Sequence, residues 1–187
     1  MTETAKKLAT YEDLLQLPDH LVGEIVHGQL HASPRPAPPH ARAASALGME
    51  IGPPYDRGRG GPGGWWILDE PELHLGDHVL VPDLAGWRRE RMPCLPETAW
   101  FELPPDWVCE VLSPSTARLD RAQKMPLYAE FAIPWLWLID PGLQTLEAYE
   151  LREGKWVLLE TLSGDQSVSV APFDATAFPL SALWPDE

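Results

Sequence analysis

The chain has no asparagine, only four lysines and only two cysteines in 187 residues. Cys94 and Cys109 cannot build a disulfide scaffold or a four-cysteine zinc site. No apolar run approaches the ~18 residues that a membrane-spanning helix needs. Residues 1–7 lack the apolar stretch of a secretory signal. These absences predict a soluble, cytoplasmic protein with no membrane partner. Basic charge is scarce as well: 14 basic against 28 acidic side chains give a net charge of -14. That balance argues against tight, general binding of nucleic acid, because phosphate contacts need Lys and Arg.

The scarcity is uneven. Residues 35–124 hold 10 basic and 13 acidic side chains, a net of -3, whereas residues 125–187 hold 2 and 10, a net of -8. Local clusters, Arg88-Arg89-Glu90-Arg91 and Arg118…Arg121…Lys124, are either solvated surface charge or a face for phosphate. What the chain has in abundance is proline, 21 residues of it. Many loop prolines and few amides suit a heat-adapted protein. The excess of arginine over lysine, ten to four, is equally what base composition produces. With 44% hydrophobic and 22% charged residues the composition is globular, and the length suits one domain.

Thr10-Tyr-Glu-Asp-Leu-Leu15 has the pattern of a short capped helix that Pro18 ends. Leu21–Val26 and Gln29–Ala32 flank His27-Gly28 as a β-hairpin. After a proline-rich connection, His40 to Ile51 carries apolar residues at helical spacing, and Pro53-Pro54 is expected to end that helix. Gly58-x-Gly60-x-x-Gly63 matches a dinucleotide fingerprint in letters only, since a helix precedes it and a strand, Trp65–Leu68, follows. Further strands are predicted at Glu72–Leu75, at Val79–Trp87 interrupted by Pro82, and at Asp106–Leu112. A helix over 117–131, kinked at Pro126, leads to the nearly all-apolar strand Pro134–Ile139. Strand, helix and buried strand make a βαβ crossover, so part of the sheet is parallel. A hairpin of Thr145–Leu151 and Lys155–Leu162 and a short strand at Val168–Val170 follow. The expected fold is α/β or mixed α+β, one central sheet with few helices. Residues 1–187 form a single domain in this reading, with an N-terminal helix and hairpin (1–33) and a C-terminal hairpin extension (143–187).

Asp83, Glu110 and Lys124 are the residues with chemistry to offer. Asp83 follows Pro82 at an interruption of a strand, and Glu110 stands inside the apolar run Val108-Cys-Glu-Val-Leu112. A carboxylate there is costly to bury unless it pairs or binds a metal. Two carboxylates converging from neighbouring strands supply hard oxygen ligands for Mg²⁺ or Mn²⁺, and a nearby lysine offsets charge developing on phosphate. Each residue also has a plain reading: a turn acid after proline, an edge-strand acid facing solvent, and an i,i+4 surface pair of Lys124 with Asp120.

Pro82-Asp83, Glu110-Val-Leu-Ser-Pro-Ser115, Asp120, Lys124, Tyr128 and Pro134-Trp-Leu-Trp-Leu-Ile-Asp140 together resemble the Uma-type family of "putative restriction endonucleases", within the PD-(D/E)XK nuclease superfamily. Tyr11-Glu-Asp-Leu14, Gly23-Glu-Ile-Val-His-Gly28 and the proline-rich run into His40 extend the likeness over nearly the whole chain. The resemblance implies a restriction-endonuclease-like core, a central mixed sheet flanked by helices, and metal-dependent hydrolysis of DNA. It implies Asp83 and Glu110 as metal ligands, Lys124 as the third catalytic residue and Glu24 as an additional acid. The superfamily's simple motif would put a lysine two residues after Glu110, where this chain has Leu112. Lys124 can stand in only if its helix packs against that strand.

Other candidates are weaker. His74-Leu-Gly-Asp77-His78 could suggest zinc but reads as a strand running into a Gly-Asp turn. His40 is either a phosphate-facing residue at a helix start or a simple first residue of that helix. The nine tryptophans sit mostly in apolar runs. Ser113 and Ser115 lack a histidine–acid pair and are explained by capping. The acidic balance keeps two further readings open: a catalytically idle binding module that retains the fold, and a metal phosphohydrolase acting on a small substrate. A nuclease that pairs two sites across both strands implies a homodimer or higher homo-oligomer by analogy.

Overall fold

A computed structural model describes residues 8–185. The leader reading of residues 1–7 and the last two positions of the single-domain reading lie outside them. The first helix, α1 (Tyr11–Leu15), starts at Thr10 with a full capping box: the Asp13 carboxylate accepts the Thr10 N–H at 2.8 Å, and the Thr10 side chain accepts the Asp13 N–H. It docks on β1 (Leu21–Val26) at Gly23, where an added Cβ would lie 2.6 Å from a Leu17 methyl. β1 pairs antiparallel with β2 (Gln29–Pro34) through a two-residue turn, His27-Gly28, in which both residues have positive φ. That is the turn whose twist matches a hairpin.

The second helix, α2, runs Pro38–Ile51, two residues earlier than predicted, because proline is pre-organised for the first helical turn. Pro53-Pro54 do not end it. The chain continues as a wider π turn, Gly52–Asp56, in which the Arg57 N–H reaches back to the Gly52 carbonyl. The glycine-rich loop then feeds a strand, β3 (Trp65–Asp69), as the non-nucleotide reading required.

The predicted strand 79–87 is in fact two strands belonging to different sheets. β4 (Leu73–Leu75) and β5 (His78–Leu80) join β1 and β2 in a four-stranded sheet of order β2-β1-β5-β4. β6 (Leu84–Arg88) belongs to the central sheet. Pro82, with no N–H to offer a ladder, sits at the crossing between them. The central sheet has six strands in the order β10-β9-β8-β7-β6-β3. It includes β7 (Trp107–Val111), β8 (Trp135–Asp140), β9 (Thr145–Arg152) and β10 (Lys155–Ser163). The β7–β8 pair is parallel, as the crossover predicted, and the remaining pairs are antiparallel, so the sheet is mixed. The hairpin read as a C-terminal extension is thus two strands of this sheet. A two-stranded sheet of β11 (Ser167–Val168) and β12 (Phe178–Pro179) completes the chain before a 3₁₀ turn, Leu180–Leu183.

The predicted helix 117–131 is present in three pieces: α3 (Ala117–Leu119), a π turn (Asp120–Lys124) and α4 (Met125–Glu130). In place of a simple kink at Pro126, the hydrogen-bond register widens just before it, with the Met125 N–H donating to the Asp120 carbonyl. This spares the carbonyl that the proline ring would crowd in a regular α-helix.

The middle strands of the central sheet, β7 and β8, are buried on both faces. Along β7, Trp107, Cys109 and Val111 join one core with α2 and the C-terminal segment, around Trp137 and Phe173. Val108 and Leu112 join the other core, with Leu127 and Tyr128 of α4. Period-two alternation therefore turns Glu110 toward the helix side of the sheet.

Candidate active site

Asp83 and Glu110 meet across the β6–β7 ladder. Leu84 pairs with Cys109, so the next step of the antiparallel register brings Asp83 opposite Glu110. Asp83 Oδ2 accepts the Val111 N–H at 2.7 Å, which continues with a side chain the ladder that Pro82 interrupts. Leu112 is buried in the apolar core on Glu110's own face of the strand. The lysine comes from the helix instead, with its Nζ 2.8 Å from Glu110 Oε1. The condition that the sequence set on Lys124 is met.

Glu24, the fourth predicted residue, is there too. Its Oε1 lies 2.8 Å from Lys124 Nζ and accepts the Val81 N–H at 2.8 Å. It therefore ties the lysine to the β5–β6 crossing that leads into Asp83. Asp120 stands one turn before Lys124, with Oδ1 3.8 Å from the ammonium. Tyr128, one turn after it, donates a hydrogen bond to Glu110 Oε1. The Lys124 ammonium and the Tyr128 hydroxyl converge on that one oxygen. His40 Nε2 lies 3.2 Å from Asp83 Oδ1.

These groups line a cavity of about 300 Å³, bounded by Glu24, His40, Asp83, Glu110, Asp120 and Lys124. Lys124 is 2% exposed, Glu110 2% and Asp120 3%. Four carboxylates therefore share one ammonium and one imidazole in a poorly solvated place. Burial pushes the Glu110 carboxyl well above its ordinary range, against the pull of Lys124, and Asp120, Asp83 and Glu24 add to the rise. Burial likewise raises Asp120 to about 6, again opposed by Lys124. Burial works against the Lys124 charge, but Glu110 and Glu24 overcome it and hold the ammonium well above its usual value. The His40 imidazole is disfavoured as a cation by burial and favoured more strongly by Asp83, for a net rise. Excess negative charge of this kind is relieved either by protons or by a cation.

The donor set fits a hard divalent ion. Mg²⁺ is commonly held by one or two carboxylates and completed by water or substrate oxygens, without an all-protein cage. Among the described residues no three His, Cys, Asp or Glu side chains form a ready-made ligand cluster. The two histidines of the 74–78 segment are engaged by neighbours and form no zinc cluster: His74 pairs with Glu72 at 2.7 Å and stacks on Trp100, and His78 Nδ1 accepts the His27 N–H. Ser113 Oγ accepts the Thr116 N–H in a capping turn. Trp87, Trp107 and Trp137 are fully buried core residues.

Sequence reasoning left Asp120 as a surface partner and gave Tyr128 no role. Their signal was the 120–124–128 spacing, which places all three side chains on one helix face. His40 was read as a phosphate-facing or simple first residue of a helix; its pairing with Asp83, remote in sequence, carried no local signal.

A profile of the Uma2 family, described as "putative restriction endonuclease", matches residues 9–181. The chain belongs to the Uma2 family. No curated protein matches it. Among solved structures, a putative nuclease of the DUF820 group from Anabaena variabilis ATCC 29413 superposes with a TM-score of 0.69 at 24% identity. The match covers 94% of this chain and 97% of that one, so the two share a fold. Among the described residues of this Uma2 chain, no helix is long and apolar enough to cross a membrane.

Proposed function

We propose that this Uma2 protein is a metal-dependent endonuclease that hydrolyses DNA phosphodiester bonds, acting in the cytoplasm as a homodimer or higher homo-oligomer. One observation carries the reading: a buried lysine shared by carboxylates from separate parts of the fold, on the wall of a cavity, in a member of a family described as "putative restriction endonuclease". Asp83 and Glu110 would hold Mg²⁺ or Mn²⁺. Such an ion, when bound, polarises a phosphoryl oxygen and lowers the pKa of water.

The chain's own residues do the rest. The Val111 N–H orients the Asp83 carboxylate, and Tyr128 and Lys124 hold Glu110 at Oε1. Lys124 is the cation beside Glu110, placed to steady an attacking hydroxide or the charge that builds on phosphate. Glu24 holds the ammonium on the cavity wall and keeps it protonated. It acts as a positioning residue.

A second reading, a phosphohydrolase of small substrates, is favoured by the net charge of -14 and the modest cavity. Supercoiled plasmid separates the two. The nuclease reading expects nicking with Mg²⁺ or Mn²⁺ that chelation stops and that Glu110→Gln or Lys124→Ala abolishes. Cleavage of a chromogenic phosphodiester with intact plasmid would support the small-substrate reading. Inactivity on both, with no metal binding by calorimetry, would leave an idle module.

A further inference from the structure

Two stretches that stand out in the sequence have no part in the nuclease chemistry: the loop Arg57-Gly-Arg-Gly-Gly-Pro-Gly-Gly64 and the run Arg88-Arg89-Glu90-Arg91. The fold brings them together. β3, which follows the loop, pairs with β6, which leads into the run, so Trp65 stands opposite Arg88. The Arg89 N–H then donates to the Gly64 carbonyl at 2.9 Å. Five of the ten arginines of an acidic chain thereby gather at one end of the central sheet, and the two stretches add a single acid, Glu90.

The acids that pair with these arginines lie beneath them. Asp56 meets Arg89 at 2.9 Å and Asp106 meets Arg91 at 2.8 Å, yet the acids are 14% and 8% exposed against 38% and 40% for the arginines. Arg57, with Nε 3.7 Å from Asp56, is 73% exposed. Arg59 and Arg88 are exposed, and neither has a carboxylate partner among the described residues. The face turned to solvent is therefore cationic. Indole rings hold two of the guanidinium groups, Arg88 over Trp65 at 4.6 Å and Arg89 over Trp66 at 3.6 Å. A guanidinium ordered in this way has little freedom left to lose when it takes up a phosphate. At Gly60, φ is +77° and the space where a Cβ would stand is open, so the backbone beside Arg59 can approach a ligand closely.

We propose that this end of the sheet is a docking platform for the phosphate backbone of duplex DNA, indifferent to base sequence. The proposal rests on the reading above in taking DNA as the partner. Trp65 is 3% exposed and Arg89 covers a face of Trp66, so the platform offers charge and N–H donors, with little bare ring on which unpaired bases would stack. Asp83 stands one residue before β6 and Arg88 ends it. Five residues of strand span ~17 Å, the rise of about five base pairs, so a duplex anchored on the arginines is long enough to extend to the catalytic cavity. A chain of net charge -14 gains from this platform a local face on which a polyanion can settle.

The test is fluorescence anisotropy of a labelled short duplex with the full-length protein in EDTA, over a salt series. Arg59→Gln/Arg88→Gln should lower the slope of log affinity against log salt by about 0.9 per arginine, which weakens binding on the order of tenfold per residue at ~0.1 M salt. Arg59→Lys/Arg88→Lys should keep the slope and most of the affinity. Neither arginine has an ion pair to lose, so both variants should unfold in urea close to the wild-type midpoint. Should the Gln pair fail to fold, Arg59→Gln alone, in the exposed loop, carries the test. An unchanged slope in the folded Gln variant, or equal weakening in the Lys variant, would overturn the platform. So would an absence of DNA binding, or polyglutamate bound as tightly as DNA, which would assign the face to an acidic protein. Because the assay needs no metal, its outcome is separable from the nuclease reading: binding as expected without metal-dependent nicking keeps the platform and removes the nuclease, and nicking unaffected by the Gln pair does the reverse.

Discussion

Lys124→Met removes the positive charge around which the site is built and keeps most of the side chain's volume. The ammonium is 2% exposed and lies 2.8 Å from both Glu24 Oε1 and Glu110 Oε1. Breaking a buried pair by removing one partner costs about 3–5 kcal/mol, because the partner is left as an uncompensated charge. At a urea m-value of about 2 kcal/mol/M, the unfolding midpoint should fall by roughly 1.5–2.5 M. The loss also has a sign with pH. Without Lys124, Glu110 loses the group that lowers its pKa, so the folded chain keeps a proton that the unfolded chain releases above its ordinary 4.5. Each proton retained in this way makes stability fall as pH rises, by up to ~1.4 kcal/mol per unit. The variant's deficit should therefore be small near pH 4.5 and large at pH 8. Lys124→Met/Glu110→Gln should recover much of it, because the stranded charge is gone. Urea titrations at several pH values measure all of this. An unchanged midpoint at pH 8, or a loss indifferent both to pH and to Glu110→Gln, would refute the idea that this lysine neutralises buried acids.

Asp120, raised from 3.8 to about 6 chiefly by burial, should make the metal-free protein lose on the order of 3 kcal/mol as pH rises from about 4 to 6, since its folded form holds a proton the unfolded form has lost. Asp120→Asn should flatten that window in pH-dependent denaturation, and a window of unchanged steepness would count against the assignment. Phe173 contacts Tyr55, Trp65, Trp107 and Trp137 at ring-centroid distances of 4.7 to 5.5 Å, so Phe173→Ala should cost about 3–5 kcal/mol by the same assay without changing the pH dependence.

Local patterns carried most of the fold. The Thr10–Asp13 box, the His27-Gly28 turn and the apolar run before Asp140 each act through neighbours in sequence, and each became the element expected. What failed was what neighbours do not determine. Residues 79–87 read as one strand interrupted by Pro82, yet at that proline the chain leaves one sheet for another. Pro53-Pro54 read as a helix stop and Pro126 as a kink, yet wider helical turns absorbed them, because backbone carbonyls had room to shift register. At the site, Glu110 stood out as a charge within an apolar strand. The pairing of Lys124 with Glu24 depends on where the first hairpin packs, and no spacing within either segment reveals it. Resemblance to the family named Glu24 as an additional acid at the site but did not give its pairing with Lys124.

The central claim is that side chains distant in sequence form one pocket that traps a divalent cation. Anomalous diffraction from crystals soaked in Mn²⁺ tests it most directly. The account predicts a peak within bonding distance of both Asp83 and Glu110, with Lys124 still beside Glu110. A fully occupied crystal with no peak between those two carboxylates would contradict it.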